Sequence, residues 1–142
     1  MAKNIQIKGV GDVLKKLDSE FGTNKMRQIS RNAVNKGTEK VEEKLKEDMV
    51  VFKDTGYTIK EVVHTEARFY SQKKTANAKI GWNGPHHRSS LIHLNEWGYT
   101  RYGKQIQPRG FGVITKSIDS SEKLYIDEVR EVLEDAFKRY VR

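Results

Sequence analysis

The chain has 142 residues, 36% of them apolar and 32% charged, with a formal net charge of +8 and no cysteine. A length of this order suits one domain with its own core, so residues 1–142 are read as a single domain. The missing cysteines exclude disulfides and thiolate metal sites. Met1-Ala2-Lys3-Asn4-Ile5 is followed by no apolar signal core, and no run of about eighteen apolar residues offers a membrane span, so a reducing cytoplasm is the expected setting.

The charge is uneven. Residues 1–57 carry 12 basic and 9 acidic side chains, residues 58–109 carry 9 and 3, and residues 110–142 carry 6 and 7. The middle segment therefore holds +6 of the total, which points to a basic surface facing something acidic.

Ile5-Gln6-Ile7-Lys8 alternates as a short strand should, and Gly9 ends it. Gly11 or Asp12 can cap a short helix that aligns Val13, Leu14, Leu17 and Phe21, with Gly22 as its stop. Thr23 is read as the cap of a long helix reaching Phe52. Met26, Ile29, Ala33, Gly37, Val41, Leu45, Met49 and Phe52 recur there at three- and four-residue steps. Lys36, Glu39, Lys40, Glu43, Lys44 and Glu47 form its wet face. Ala33 and Gly37 in mid-stripe allow another element to approach closely. Asp54-Thr55-Gly56 is a turn, in which Gly56 can supply a positive φ.

From Tyr57 the period drops to 2. Residues 58–69 read as a strand, Gln72-Lys73-Lys74 as a polar turn and residues 75–82 as its antiparallel partner. Asn83-Gly84-Pro85 breaks the hairpin. Residues 91–98 form a third extended or partly helical stretch, followed by a Tyr- and Gly-rich loop from Tyr99 to Gln107. A last helix is expected to start near Ser120 or Ser121, with Leu124 or Tyr125, Val129, Val132, Leu133, Ala136, Phe137 and Tyr140 on its buried face. The fold class is α+β: a small, largely antiparallel sheet packed by a long central helix and a C-terminal helix.

The inventory for catalysis is thin. His64, His86, His87 and His93 invite a metal, with Glu96 near His93, yet no helical His-x-x-x-His pair and no Asp cluster accompany them. His86 and His87 read as an exposed loop and His93 as half-buried beside Trp97. Gly9-Val10-Gly11 lacks the remainder of a dinucleotide fingerprint. Only Glu61, Glu66 and Glu96 supply carboxylates between residues 58 and 109, which leaves little for paired acid–base work. No enzyme activity, catalytic residue, metal or cofactor is therefore expected. The alternatives are a non-specific nucleic-acid-binding module, built on Arg68, Tyr70, Lys73, Lys74, Lys79, Arg88, Tyr99, Arg101, Tyr102 and Lys104, and a small metal-dependent nuclease-like enzyme using the histidines. In the first alternative, DNA binding is weak, sequence-indifferent and lost steeply with salt.

The order of motifs carries more than any one of them. A long charged helix ends in Asp54-Thr55-Gly56, and a hairpin ends in Ile80-Gly81-Trp82. Glu96-Trp97-Gly98-Tyr99 and Pro108-Arg109-Gly110-Phe111 come next, and an amphipathic helix closes the chain. This order resembles that of the bacteriophage tail-component family whose members act in the neck as head–tail joining or tail-completion proteins, and the resemblance covers nearly the whole chain. Two places depart from the family pattern: Tyr99 stands where it has Thr, and Val113-Ile114-Thr115-Lys116-Ser117-Ile118 stands where it has Leu-Arg-Pro-Ala. The resemblance implies a prophage or phage structural protein, made in the host cytoplasm and ending in the virion. It implies a homo-oligomeric ring, a hexamer, in the conduit between capsid and tail. Its partners there would be the connector or stopper and the tail terminator, with non-specific contact to the genomic DNA and none to a membrane. Lys73, Lys74, Glu96, Trp97, Tyr99, Arg101, Tyr102, Lys104 and Arg109 are the expected interface residues. Glu96 is expected to hold its loop against a basic neighbour such as Arg109.

Overall fold

The computed structural model describes residues 22–53, 55–73 and 75–140. The strand and helix read from residues 5–21 lie outside the described residues, as do Asp54, Lys74 and the side chains of Thr23 and Tyr140.

Two long helices dominate. Helix α1 (Thr23–Asp48) runs into a 3-10 turn, Met49–Phe52, so together they span the stretch read as one helix. The apolar stripe is buried as its spacing demands: Met26, Ile29, Ala33, Val41, Leu45 and Met49 all lie inside, while Lys36, Glu39, Lys40, Glu43 and Glu47 are exposed. The cap is Gly22, not Thr23. With φ 79°, Gly22 turns the chain and its carbonyl accepts the Met26 N–H at 3.1 Å, a backbone geometry glycine adopts at least cost.

Helix α4 (Val113–Tyr140) runs antiparallel to α1. Near the start of α1, Met26, Ile29 and Ala33 meet Val129 and Leu133, with Tyr125, Val132, Ala136 and Phe137 packed around them. Near its end, Leu45 and Met49 meet Ile114, with Val62 and Ile92 completing a second cluster. Each such fully buried side chain contributes roughly 1.5–3 kcal/mol relative to exposure. Between the clusters the seam is built of small groups, Gly37 on α1 and Ser117 and Ser121 on α4. A Cβ at Gly37 would lie 2.7 Å from the Tyr125 ring and 2.9 Å from Val129, so glycine sets how closely the helices approach.

This corrects the expected start of the last helix. Ser120 and Ser121 do not cap it. Their hydroxyls donate back to the carbonyls of Ser117 (3.1 Å) and Ile118 (2.9 Å), as serines inside a helix do. Leu124, offered with Tyr125 for the buried face, is 43% exposed, and Tyr125 takes the inner position.

The strand read over residues 58–69 is interrupted. Gly56 has φ 83° and starts a single helical turn, α2 (Tyr57–Lys60). Strands β1 (Val62–His64), β2 (Arg68–Tyr70), β3 (Thr75–Asn77) and β4 (Ile80–Trp82) follow. They form one long antiparallel hairpin, β1 against β4 and β2 against β3, with Val62 opposite Trp82 and Arg68 opposite Asn77. Residues 65–67 face only residues 78–79 across the ladder. The extra residue makes a bulge, which breaks the ladder and turns the hairpin's outer half. Helix α1 holds this bulge. Ala67 donates its N–H to Asn35 Oδ1 at 2.7 Å, Arg31 Nε donates to the Ala67 carbonyl at 3.0 Å, and Asn35 Nδ2 donates to Glu66 at 3.1 Å. Phe69 beyond the bulge reaches the cluster around Met26.

Residues 91–98 resolve into a short helix, α3 (Ile92–Trp97), with Ile92 and Glu96 inside. The loop expected from Tyr99 to Gln107 is a second hairpin, β5 (Tyr99–Arg101) against β6 (Lys104–Ile106). Among the described residues no helix is long and apolar enough to cross a membrane.

Candidate assembly surface

Two motifs that are apart in sequence, Glu96-Trp97-Gly98-Tyr99 and Pro108-Arg109-Gly110-Phe111, meet at one end of the helix pair. Glu96, the last inward residue of α3, is completely buried. Its carboxylate accepts the N–H of Ile114 at 2.9 Å and of Thr115 at 2.8 Å, and its carbonyl accepts the N–H of Gly112, also at 2.9 Å. A negative group on the free amides of a first helical turn satisfies two donors and meets the positive end of the dipole. This explains why α4 begins at Val113. It also corrects two expectations: Glu96 is not a surface contact, and its oxygens serve backbone amides while Arg109 is exposed.

The neighbouring motif residues close around this anchor. Gly98 has φ 81°, and a Cβ there would lie 2.5 Å from the Ile106 carbonyl oxygen. Gly110 lies against the Phe52 ring, 2.7 Å from where a Cβ would sit. The Pro108-Arg109-Gly110-Phe111 turn is thus seated on the 3-10 turn that follows α1. Trp97 and Phe111 meet edge to face, ring centroids 6.4 Å apart, and both stay substantially exposed, at 50% and 40%.

From this platform the β5–β6 hairpin projects. Tyr102 (φ 51°) and Gly103 (φ 74°) make its two-residue turn, and positive φ at both positions is the geometry that matches hairpin twist. All of β5 is exposed, and Tyr102 at the tip is 92% exposed. The Arg101 guanidinium lies 5.4 Å from the Tyr102 ring centroid. Exposed Trp97 and Tyr99, with Arg101, Lys104 and Arg109 around them, have the aromatic and arginine-rich make-up of protein interfaces.

The other expected contact does not join this surface. Lys73 is exposed in the turn at the far tip of the long hairpin, whose outer strands pack beside the first half of α1, and Lys74 lies outside the described residues. The basic middle segment is therefore divided between two ends of the molecule.

A second buried carboxylate was not legible as an anchor. Glu61 accepts the N–H of His86 at 2.6 Å and of Arg88 at 2.9 Å, and a Cβ on Gly84 would lie 2.5 Å from its Cγ. It fixes the loop in which the His86 ring stacks on Tyr57 at 3.6 Å. His93 is exposed, contrary to expectation. His64 pairs with Glu42 of α1, which also takes Lys46 at 2.9 Å. Among the described residues no three His, Asp or Glu side chains gather as metal ligands.

Burial pushes the Glu61 carboxyl up, but the Arg88 and His86 amides outweigh it and hold the group below its ordinary 4.5. Burial likewise raises Glu42, and its bonds to His64 and Lys46 bring it below 4.5. Folded pKa values below the unfolded ones mean that the native chain binds fewer protons. This stability is therefore present above about pH 4.5 and lost as pH falls through the folded pKa values. Melting temperature should fall on acidification from pH 6 to pH 3, and Glu61→Gln should flatten that fall. An unchanged slope in Glu61→Gln would refute the assignment.

No family model matches the chain, and no curated protein or solved structure is significantly similar to it.

Proposed function

We propose that this chain is a structural assembly protein rather than an enzyme. More particularly, it acts as a head–tail joining or tail-completion protein of a phage or prophage neck, as part of a homo-oligomeric ring, a hexamer, through which DNA passes. The observation that supports the reading is the convergence of Glu96-Trp97-Gly98-Tyr99 and Pro108-Arg109-Gly110-Phe111 at the end of the fold where Phe52 closes the long helical stretch. Fixed turns and one buried carboxylate there hold out an exposed aromatic and basic hairpin. In this reading the same residues that carry the sequence resemblance form a contact platform, whose partners are copies of the chain itself, the connector or stopper and the tail terminator.

Charge reversal of the exposed Lys73, Arg101 and Lys104 tests it. Exposed charges contribute little stability, so the variant should melt like the parent chain. Particle formation should stop with filled heads and tails left unjoined, scored by electron microscopy. Normal infectious particles from this variant would sink the neck role.

A further inference from the structure

We propose that the hairpin surface of one copy receives the acidic outer face of α4 of a second copy. The inference rests on the self-assembly part of the function proposed above. It starts from an anomaly in α4: Leu124 is 43% exposed, whereas Ile114, Val129 and Leu133 are buried and Ile118, Tyr125, Val132 and Phe137 pack against the two clusters. Asp127, Glu131 and Glu134 follow Leu124 at steps of three, four and three, which puts all four on one stripe. The three acids are exposed. An apolar side chain at the head of an acidic strip is what a surface with aromatic anchors and a basic rim would accept. The Trp97–Phe111 pair with Arg101, Lys104 and Arg109 is such a surface.

One copy cannot make this contact with itself. The hairpin platform sits at the first turn of α4, and the Leu124-to-Glu134 stripe lies roughly 16–32 Å further along the helix at 1.5 Å per residue. Two different patches joining head to tail make a heterologous contact, which repeats around a ring and does not stop at a dimer. Opposite charge speeds encounter and rejects the wrong register, and it does so less at high salt.

Two triple variants decide it. One carries Arg101→Glu, Lys104→Glu and Arg109→Glu; the other carries Asp127→Lys, Glu131→Lys and Glu134→Lys. Each alone should retain its circular dichroism and show self-association weakened at least tenfold by sedimentation velocity in low salt. An equimolar mixture should restore association, because each reversed patch then meets its reversed complement. If a triple variant fails to fold, the pair Tyr102→Glu and Leu124→Lys, both at exposed positions, is read the same way. A mixture no better than its components would overturn the proposal, as would a wild-type chain that stays monomeric throughout. So would basic-hairpin variants whose only loss is binding to duplex DNA. Charge-swap rescue together with normal particles in the test of the preceding section would leave this contact standing and remove the neck role.

Discussion

Glu96→Ala is expected to lower the unfolding free energy by about 4 kcal/mol, from two hydrogen bonds to a charged group at roughly 1.5–3 kcal/mol each. The carboxylate is fully buried and is the acceptor for the Ile114 and Thr115 amides. Alanine leaves the Ile114 N–H inside with nothing to bond and removes the negative charge from the head of a 28-residue helix. The damage should be local first. Amide exchange should quicken over residues 112–116 before the rest of α4, and the Pro108-to-Phe111 turn should loosen with it. Glu96→Gln keeps one acceptor oxygen and should lose about half as much. Glu131→Ala, an exposed acid of the same helix, should stay within about 0.5 kcal/mol of the parent. Equal urea midpoints for Glu96→Ala and Glu131→Ala would show that Glu96 is not the cap.

The helical half of the fold was legible because it rests on periodicity. The α1 stripe from Met26 to Met49 and the Val129–Leu133–Ala136 face of α4 each follow from a 3.6-residue repeat that burial must honour. What escaped was set by contacts distant in sequence. The start of α4 depends on Glu96, 18 residues away from Ile114, and Ser120-Ser121 supplied a local cap signal that competed with it. The break in the first hairpin depends on Arg31 and Asn35 holding Ala67 from another element. The second hairpin was read as a loop because its signal, Tyr102 at positive φ before Gly103, is weaker than the usual Asn-Gly.

The candidate surface was legible in part, for a related reason. Trp97, Tyr99, Arg101, Tyr102, Lys104 and Arg109 could be picked out as aromatic and basic residues in a segment rich in turns, and all six are exposed on or beside the β5–β6 hairpin. Composition carries no information on depth, so Glu96 was placed on the surface with them although it lies beneath it. Nor does composition tell which end of a helix a charge occupies, and Lys73 fell away from the group. The scarcity of acids in residues 58–109 argues for a basic surface and against catalysis, but says nothing of what the few acids do. The three that are present turn out to be anchors: Glu61 and Glu96 on backbone amides and Glu66 on Asn35.

Gly37→Leu is expected to cost about 3 kcal/mol or more, at the upper end of what overpacking a core position does. Glycine inside a helix is normally a loss of up to about 1 kcal/mol against alanine, so its presence in the middle of a 26-residue helix asks for a reason. That reason is the distance to α4. A single Cβ would stand 2.7 Å from two Tyr125 ring carbons and 2.9 Å from Val129 Cγ2. Val129 is buried and β-branched and has little freedom to turn away. Leucine would add three more carbons to that overlap and force the helices apart, opening both clusters that flank the seam. Gly37→Ala should lose less, since the gain in helix propensity offsets part of the overlap. Combining Gly37→Ala with Tyr125→Ala should recover stability relative to the sum of the two single changes, a coupling a double-mutant cycle reads directly. A Gly37→Leu chain that melts at or above the parent temperature would show that α1 and α4 do not close on each other at this point.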